Sequence, residues 1–106
     1  MSKACIGALN YCLPDYAETN ETLVEEMNLS WSAEDIYNKT GIKSRHIVVS
    51  ECASDLGVKA AQRLFKENEQ IKDKIDYIIF CSQSSDYKLP STACLLQERL
   101  GIGINW

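Results

Sequence analysis

Two features of this 106-residue sequence predict an α/β fold. Helical apolar stripes alternate along the chain with short apolar runs. One run, Ile75-Asp76-Tyr77-Ile78-Ile79-Phe80-Cys81, is apolar nearly throughout and bounded by polar residues. A strand covered on both faces of a parallel sheet reads this way, because neither face has to alternate with solvent. The order strand, helices, helix, strand, helix, strand suits right-handed crossovers. With no repeats, low-complexity stretches or Pro/Gly-rich linker, the expectation is one domain over residues 1–106, or part of one.

Ala4 to Tyr11 is small and mostly apolar and predicts a first strand, closed by a Leu13-Pro14-Asp15 turn in which proline presets the backbone. Asn20 is the expected N-cap of a short helix with Leu23, Val24 and Met27 on one stripe. Ser32 is the expected cap of a second short helix, with Glu34 and Asp35 in the first turn where the helix dipole favours acids. Gly41 ends it as a C′ glycine. His46 to Val49 is β-branched and predicts a brief strand. Ser54-Asp55 caps the longest predicted helix, whose apolar face carries Leu56, Ala60 and Leu64 beside Ala61 and Phe65. Pro90 and Ser91 open a helix bearing Ala93, Leu96 and Leu100, stopped by Gly101. Ile102 to Trp106 would begin another strand.

The apolar fraction of 45% and charged fraction of 25% are those of an ordinary globular protein. A net charge of -4 with scattered basic residues argues against nucleic-acid or anionic-membrane partners, which need clustered Lys and Arg. No segment has spanning length and no apolar leader is visible, so a soluble, cytoplasmic protein is expected. Cys5, Cys12, Cys52, Cys81 and Cys94 include no Cys-x-x-Cys pair, and the sequence has a single histidine, His46, so no metal site is expected. Their mostly apolar neighbours predict reduced, buried thiols. A nucleophilic cysteine needs a base, and no pairing with His46 is visible. The five glycines are dispersed, and none forms a phosphate-binding loop.

Two separated signatures remain: Thr40-Gly41-Ile42-Lys43-Ser44-Arg45 and Leu89-Pro90-Ser91-Thr92-Ala93-Cys94. With Ile6-Gly7, Tyr11-Cys12-Leu13-Pro14, Asn20, Glu51, Ser54-Asp55-Leu56, Ala60-Ala61, Ile75-Asp76-Tyr77-Ile78-Ile79, Gln97 and Leu100-Gly101, they occur in an order and spacing that resembles the N-terminal part of the β-ketoacyl-[acyl-carrier-protein] synthase III family. The resemblance covers essentially the whole chain. It implies a thiolase-like fold, of which this chain is most of the first duplicated half, a mixed or mostly parallel sheet with helices on its faces.

The resemblance also implies an activity. In that family a cysteine takes an acyl group from a thioester, usually acyl-coenzyme A. A malonyl group on an acyl carrier protein then decarboxylates and attacks it, initiating fatty-acid synthesis in a homodimeric enzyme. The nucleophilic cysteine and its His and Asn partners lie further along such chains than Trp106, so no catalytic residue is assigned here and the chain alone is expected to be inactive. No cofactor is implied, coenzyme A entering only as part of a substrate. The family stacks the adenine on a tryptophan and holds the nucleotide with an arginine; the matching positions here are Asp35 and Lys39. Asp35 cannot stack, and its charge opposes the coenzyme A phosphates. Lys39 keeps the positive charge without the planar fork of arginine. Trp31, four residues before Asp35, would lie one turn earlier on a continuing helix and could supply the stacking surface, with simple packing of the helix as the competing explanation. Leu89 stands where the family places a bulky residue that reaches across the dimer to line the partner's acyl pocket, with packing again the rival. The alternatives are a related acyltransferase of specialised metabolism with a carrier-bound donor, and a non-catalytic α/β binding domain.

Overall fold

The computed structural model describes residues 3–103. They form two compact units, one of residues 13–50 and the other of the residues up to Cys12 together with those from Glu51 onward.

In the first unit, β1 (Tyr16–Thr19) leads directly into α1 (Asn20–Met27), followed by α2 (Ala33–Thr40) and β2 (Ser44–Ile47). The strands pair antiparallel, with Tyr16 opposite Ile47, Ala17 opposite His46, Glu18 opposite Arg45 and Thr19 opposite Ser44. The buried member of β1 is a carboxylate, Glu18. A buried charge requires a partner. Arg45 Nη1 donates to Glu18 Oε2 at 3.3 Å, while its Nη2 donates to Asn20 Oδ1 at 2.6 Å. Asn20 is itself buried and its Nδ2 donates to the carbonyls of Ile42 at 2.7 Å and Ala33 at 3.4 Å. This corrects the expected cap. Thr19 caps α1, its hydroxyl accepting from Thr22 N at 3.2 Å, which leaves Asn20 free to tie the start of α1 to the turn after α2. Ser32 and Gly41 bound α2 as expected. Gly41 sits at φ 70°, where a Cβ is strained, and its N–H donates to Tyr37 O at 2.7 Å. Ile36 of α2 is buried.

The second unit is built on α3 (Ala53–Glu67) and α4 (Thr92–Leu100). Val58 of α3 and Leu96 of α4 are its buried apolar side chains among the described residues. Gly57 lets the two helices close up: a Cβ there would lie 3.0 Å from Leu96 Cδ2 and 3.3 Å from Phe80 Cε2. The caps differ by one refinement from expectation. Cys52 is the N-cap of α3, and the Asp55 carboxylate reaches back to its N–H at 2.7 Å. α4 starts after Ser91, whose hydroxyl accepts from Cys94 N at 3.4 Å, and ends at Gly101 with φ 60°. Arg99 of α4 then crosses to α3, donating to Ser54 Oγ at 2.7 Å and Asp55 Oδ1 at 2.8 Å.

Two predicted strands do not form a ladder. Among the described residues neither Ala4 to Tyr11 nor Ile75 to Cys81 is paired, and the ladder there is the antiparallel β1–β2 pair, not a parallel sheet. Within Ile75 to Cys81, Ile78 and Phe80 are half-buried while Tyr77 and Ile79 are 83% and 85% exposed. One face of the run thus meets its unit and the other is bare, although both are apolar. Continuous apolarity asks for two covering layers, and the described residues supply one. Ile6 and Leu9 are likewise exposed. The strand expected over Ile102 to Trp106 falls mostly outside the described residues.

Candidate substrate-binding site

Trp31 lies in the connection between α1 and α2, immediately before the cap Ser32, so it is not one turn earlier on a continuing helix. The helix begins at Ala33 because Ser32 and Asp35 close a reciprocal capping box. Asp35 N donates to Ser32 Oγ at 3.1 Å, and Ser32 donates to Asp35 Oδ2 through its N–H at 3.0 Å and its hydroxyl at 2.8 Å. The chain nevertheless brings Trp31 to Lys39 by another route. Lys39 Nζ stands 3.9 Å from the centroid of the Trp31 ring, close enough for a cation–π contact. Trp31 is 46% exposed, so roughly half of this large aromatic faces solvent.

Asp35 is thereby committed to the helix start. Its carboxyl is held below the ordinary 3.8, first by the Ser32 N–H, then by the Ser32 hydroxyl, with the charge of Lys39 adding to both. It remains an anion, with its charge set against that of Lys39. Trp31, Asp35 and Lys39 therefore make one small constellation: an open aromatic ring, a cation against it and a fixed negative charge.

Leu89 belongs to the other unit. Its side chain is 85% exposed, which excludes packing within that unit as its role. It sits in the loop between Cys81 and α4, two residues before the Ser91 cap. A cleft of about 280 Å³ beside the same loop is lined by Phe80, Ser82, Ser85, Tyr87, Lys88 and the first residues of α4.

The cysteines correct another expectation. Cys12 is half-buried and Cys5, Cys52, Cys81 and Cys94 are exposed, so the buried-thiol reading fails for the described residues. Cys81 shows why, since it lies on the extended run whose outer face is uncovered. His46 Nδ1 lies 2.6 Å from the Pro14 carbonyl, which holds the ring within its own unit. Among the described residues no group of His, Cys, Asp and Glu could hold a metal ion, and no helix is long and apolar enough to cross a membrane. The sequence offers Arg45 and Asn20 as motif residues but not the Glu18–Arg45–Asn20 cluster, because the role of Glu18, an acid two positions before Asn20, is visible only once the β1–β2 register is known.

The antiparallel β1–β2 pair around α1 and α2, followed in sequence by α3, the apolar run and α4, makes an α/β fold, and its likeness to solved synthase III structures places it in the thiolase-like class. The family model for chalcone and stilbene synthases, N-terminal domain, matches residues 15–105, and the chain belongs to that family. Among curated relatives, a β-ketoacyl-[acyl-carrier-protein] synthase III of Halalkalibacterium halodurans is 40% identical over 103 residues, 96% of this chain and 30% of its own. One of Clostridium acetobutylicum is 40% identical over 96 residues, covering 91% of this chain and 29% of its own. The crystal structure of the Thermus thermophilus synthase III superposes with a TM-score of 0.84 at 33% identity, covering 93% of this chain and 30% of that one. The resemblance read from the two signatures is thus borne out, and the chain spans about 30% of the length of the relatives it matches.

Proposed function

We propose that this chain is the N-terminal third of a β-ketoacyl-[acyl-carrier-protein] synthase III, an acyltransferase that condenses an acyl thioester with malonyl-[acyl-carrier-protein] to initiate fatty-acid synthesis. The observation that carries it is the 40% identity maintained over 96% of the chain with a protein of that name. Trp31 and Lys39 are the residues of this portion that would meet the nucleotide of a coenzyme A donor, the ring by stacking and the ammonium by charge. Leu89 would line the acyl pocket of the second subunit of a cytoplasmic homodimer, and the acyl carrier protein is the macromolecular partner. This third of the enzyme holds and selects the donor.

Asp35 favours a second reading of the donor. An anion fixed beside Lys39 weakens attraction for coenzyme A phosphates, which suits an acyl group delivered on a carrier protein in specialised metabolism. One assay decides both matters. The full-length protein is given malonyl-carrier with either acyl-coenzyme A or acyl-carrier donor, and the 106-residue chain is run alongside. Condensation by the full-length protein is expected, with the donor ratio separating the two readings. No turnover is expected from the 106-residue chain, whose one imidazole is engaged at Pro14. A full-length protein that condenses neither donor overturns the proposal.

A further inference from the structure

The loop carrying Leu89 is tethered to the start of α3. From Ser82 to Ser91 every residue is exposed except Asp86, which is half-buried. The hydrogen bonds of Ser82 are local, its hydroxyl donating to Ser84 O at 3.0 Å and accepting from Ser84 N at 3.1 Å. Asp86 reaches outward instead: Oδ1 accepts from the Ser54 N–H at 3.2 Å. Ser54 is the second residue of α3, so its N–H is one of the first-turn donors with no acceptor inside the helix. A carboxylate at that end is also favoured by the helix dipole.

The point Asp86 grips is itself held on two sides. Ser54 is buried, its hydroxyl accepts from Arg99 of α4, and Arg99 continues to Asp55. Five residues beyond Asp86, Ser91 caps α4. Tyr87, Lys88, Leu89 and Pro90 are therefore strung between two fixed points on the α3–α4 pair. So short a span leaves few places for Leu89 to be.

We propose that Asp86 is a positioning residue that aims Leu89 and so sets which acyl chains the enzyme accepts; this rests on the reading of Leu89 as a pocket-lining residue. Asp86→Asn keeps an oxygen to accept from Ser54, while Asp86→Ala removes it. In the 106-residue chain, tryptic cleavage after Lys88 should be roughly fivefold faster in Asp86→Ala, the factor that loss of one ordinary hydrogen bond gives. Asp86→Asn should cleave at the wild-type rate, and cleavage after Lys66 should change in neither. In the full-length enzyme, Asp86→Ala should shift the ratio of kcat/KM between a short and a long acyl donor by about fivefold, again with rescue by Asp86→Asn. In a Leu89→Ala background, Asp86→Ala should add nothing, because the two changes act through one side chain.

If Leu89→Ala alters the chain-length profile and Asp86→Ala does not, Asp86 has no positioning role and the pocket reading stands. Independent, additive effects of the two changes also overturn the proposal. If Leu89→Ala leaves the profile unchanged, the pocket reading and this proposal fall together, and a persisting cleavage difference marks Asp86 as a loop anchor alone.

Discussion

Asp35 accepts from both the N–H and the hydroxyl of Ser32, and that commitment changes what substitutions there will do. Its folded value lies below the ordinary 3.8, so the box stabilises α2 fully above that value and the contribution is lost as pH falls through the folded value. Helicity followed on acidification should fall in wild type and fall less in Asp35→Asn, which has no such proton to gain; identical acid profiles would remove Asp35 from the account. Ser32→Ala takes away the cap hydroxyl and should cost about 0.5–2 kcal/mol in denaturant unfolding. For donor binding, Asp35→Trp with Lys39→Arg restores the family's stacking ring and fork and should improve coenzyme A use by ~1–3 kcal/mol in the full-length protein. The same pair also opens the capping box, so its melting temperature should fall while its donor Michaelis constant improves. An unchanged Michaelis constant would mean that the nucleotide is not read at this helix.

The loop from Ser82 to Ser91 is the element whose sequence implied a role and whose structure narrows it. Leu89 is 85% exposed, so Leu89→Ala should change unfolding stability by no more than about 0.5 kcal/mol, as ordinary surface substitutions do. A packed leucine would cost ~2–5 kcal/mol. The full-length variant should instead accept longer or branched donors, and a melting scan with an acyl-length profile measures both. Elements whose ends are set by local chemistry were legible in this way: Ser32, Gly41, Ser91 and Gly101 mark helix ends in the sequence and in the structure. Elements that depend on distant partners were not. Tyr16 to Thr19 gave no strand signal because its inward residue is Glu18, whose burial makes sense only beside Arg45. Ile75 to Cys81 has the composition of a doubly covered strand, yet composition cannot say which residues do the covering. The site divided along the same line. The spacing of Trp31 and Asp35 suggests one helical face, yet α2 starts two residues after Trp31, and the neighbour Trp31 meets is Lys39, which that spacing does not reveal.

Taken as a whole, the described residues bury few large apolar side chains and leave many uncovered. Ile36 in the first unit and Val58 and Leu96 in the second are the buried apolar side chains, whereas Ile6, Leu9, Val49, Tyr77, Ile79 and Leu89 are each more than three-quarters exposed. At about 25 cal/mol per Å² of apolar surface, such faces provide a driving force for association that charge repulsion at a net -4 must oppose. Ile6, Leu9, Tyr77 and Ile79 lie on segments with no ladder partner among the described residues, so exposed backbone accompanies the exposed apolar side chains. The 106-residue chain should therefore form dimers or larger species at micromolar concentration and bind a hydrophobic dye. Raising salt should strengthen association by screening the repulsion. Changing Tyr77 and Ile79 together to Ser and Thr, β-compatible polar residues on the bare face, should weaken both association and dye binding while leaving the inward Ile78 and Phe80 in place. Light scattering, dye fluorescence and far-ultraviolet circular dichroism on the two chains give the test. A monodisperse monomer with no dye signal in the unmodified chain would show that these faces are covered in solution by the chain itself.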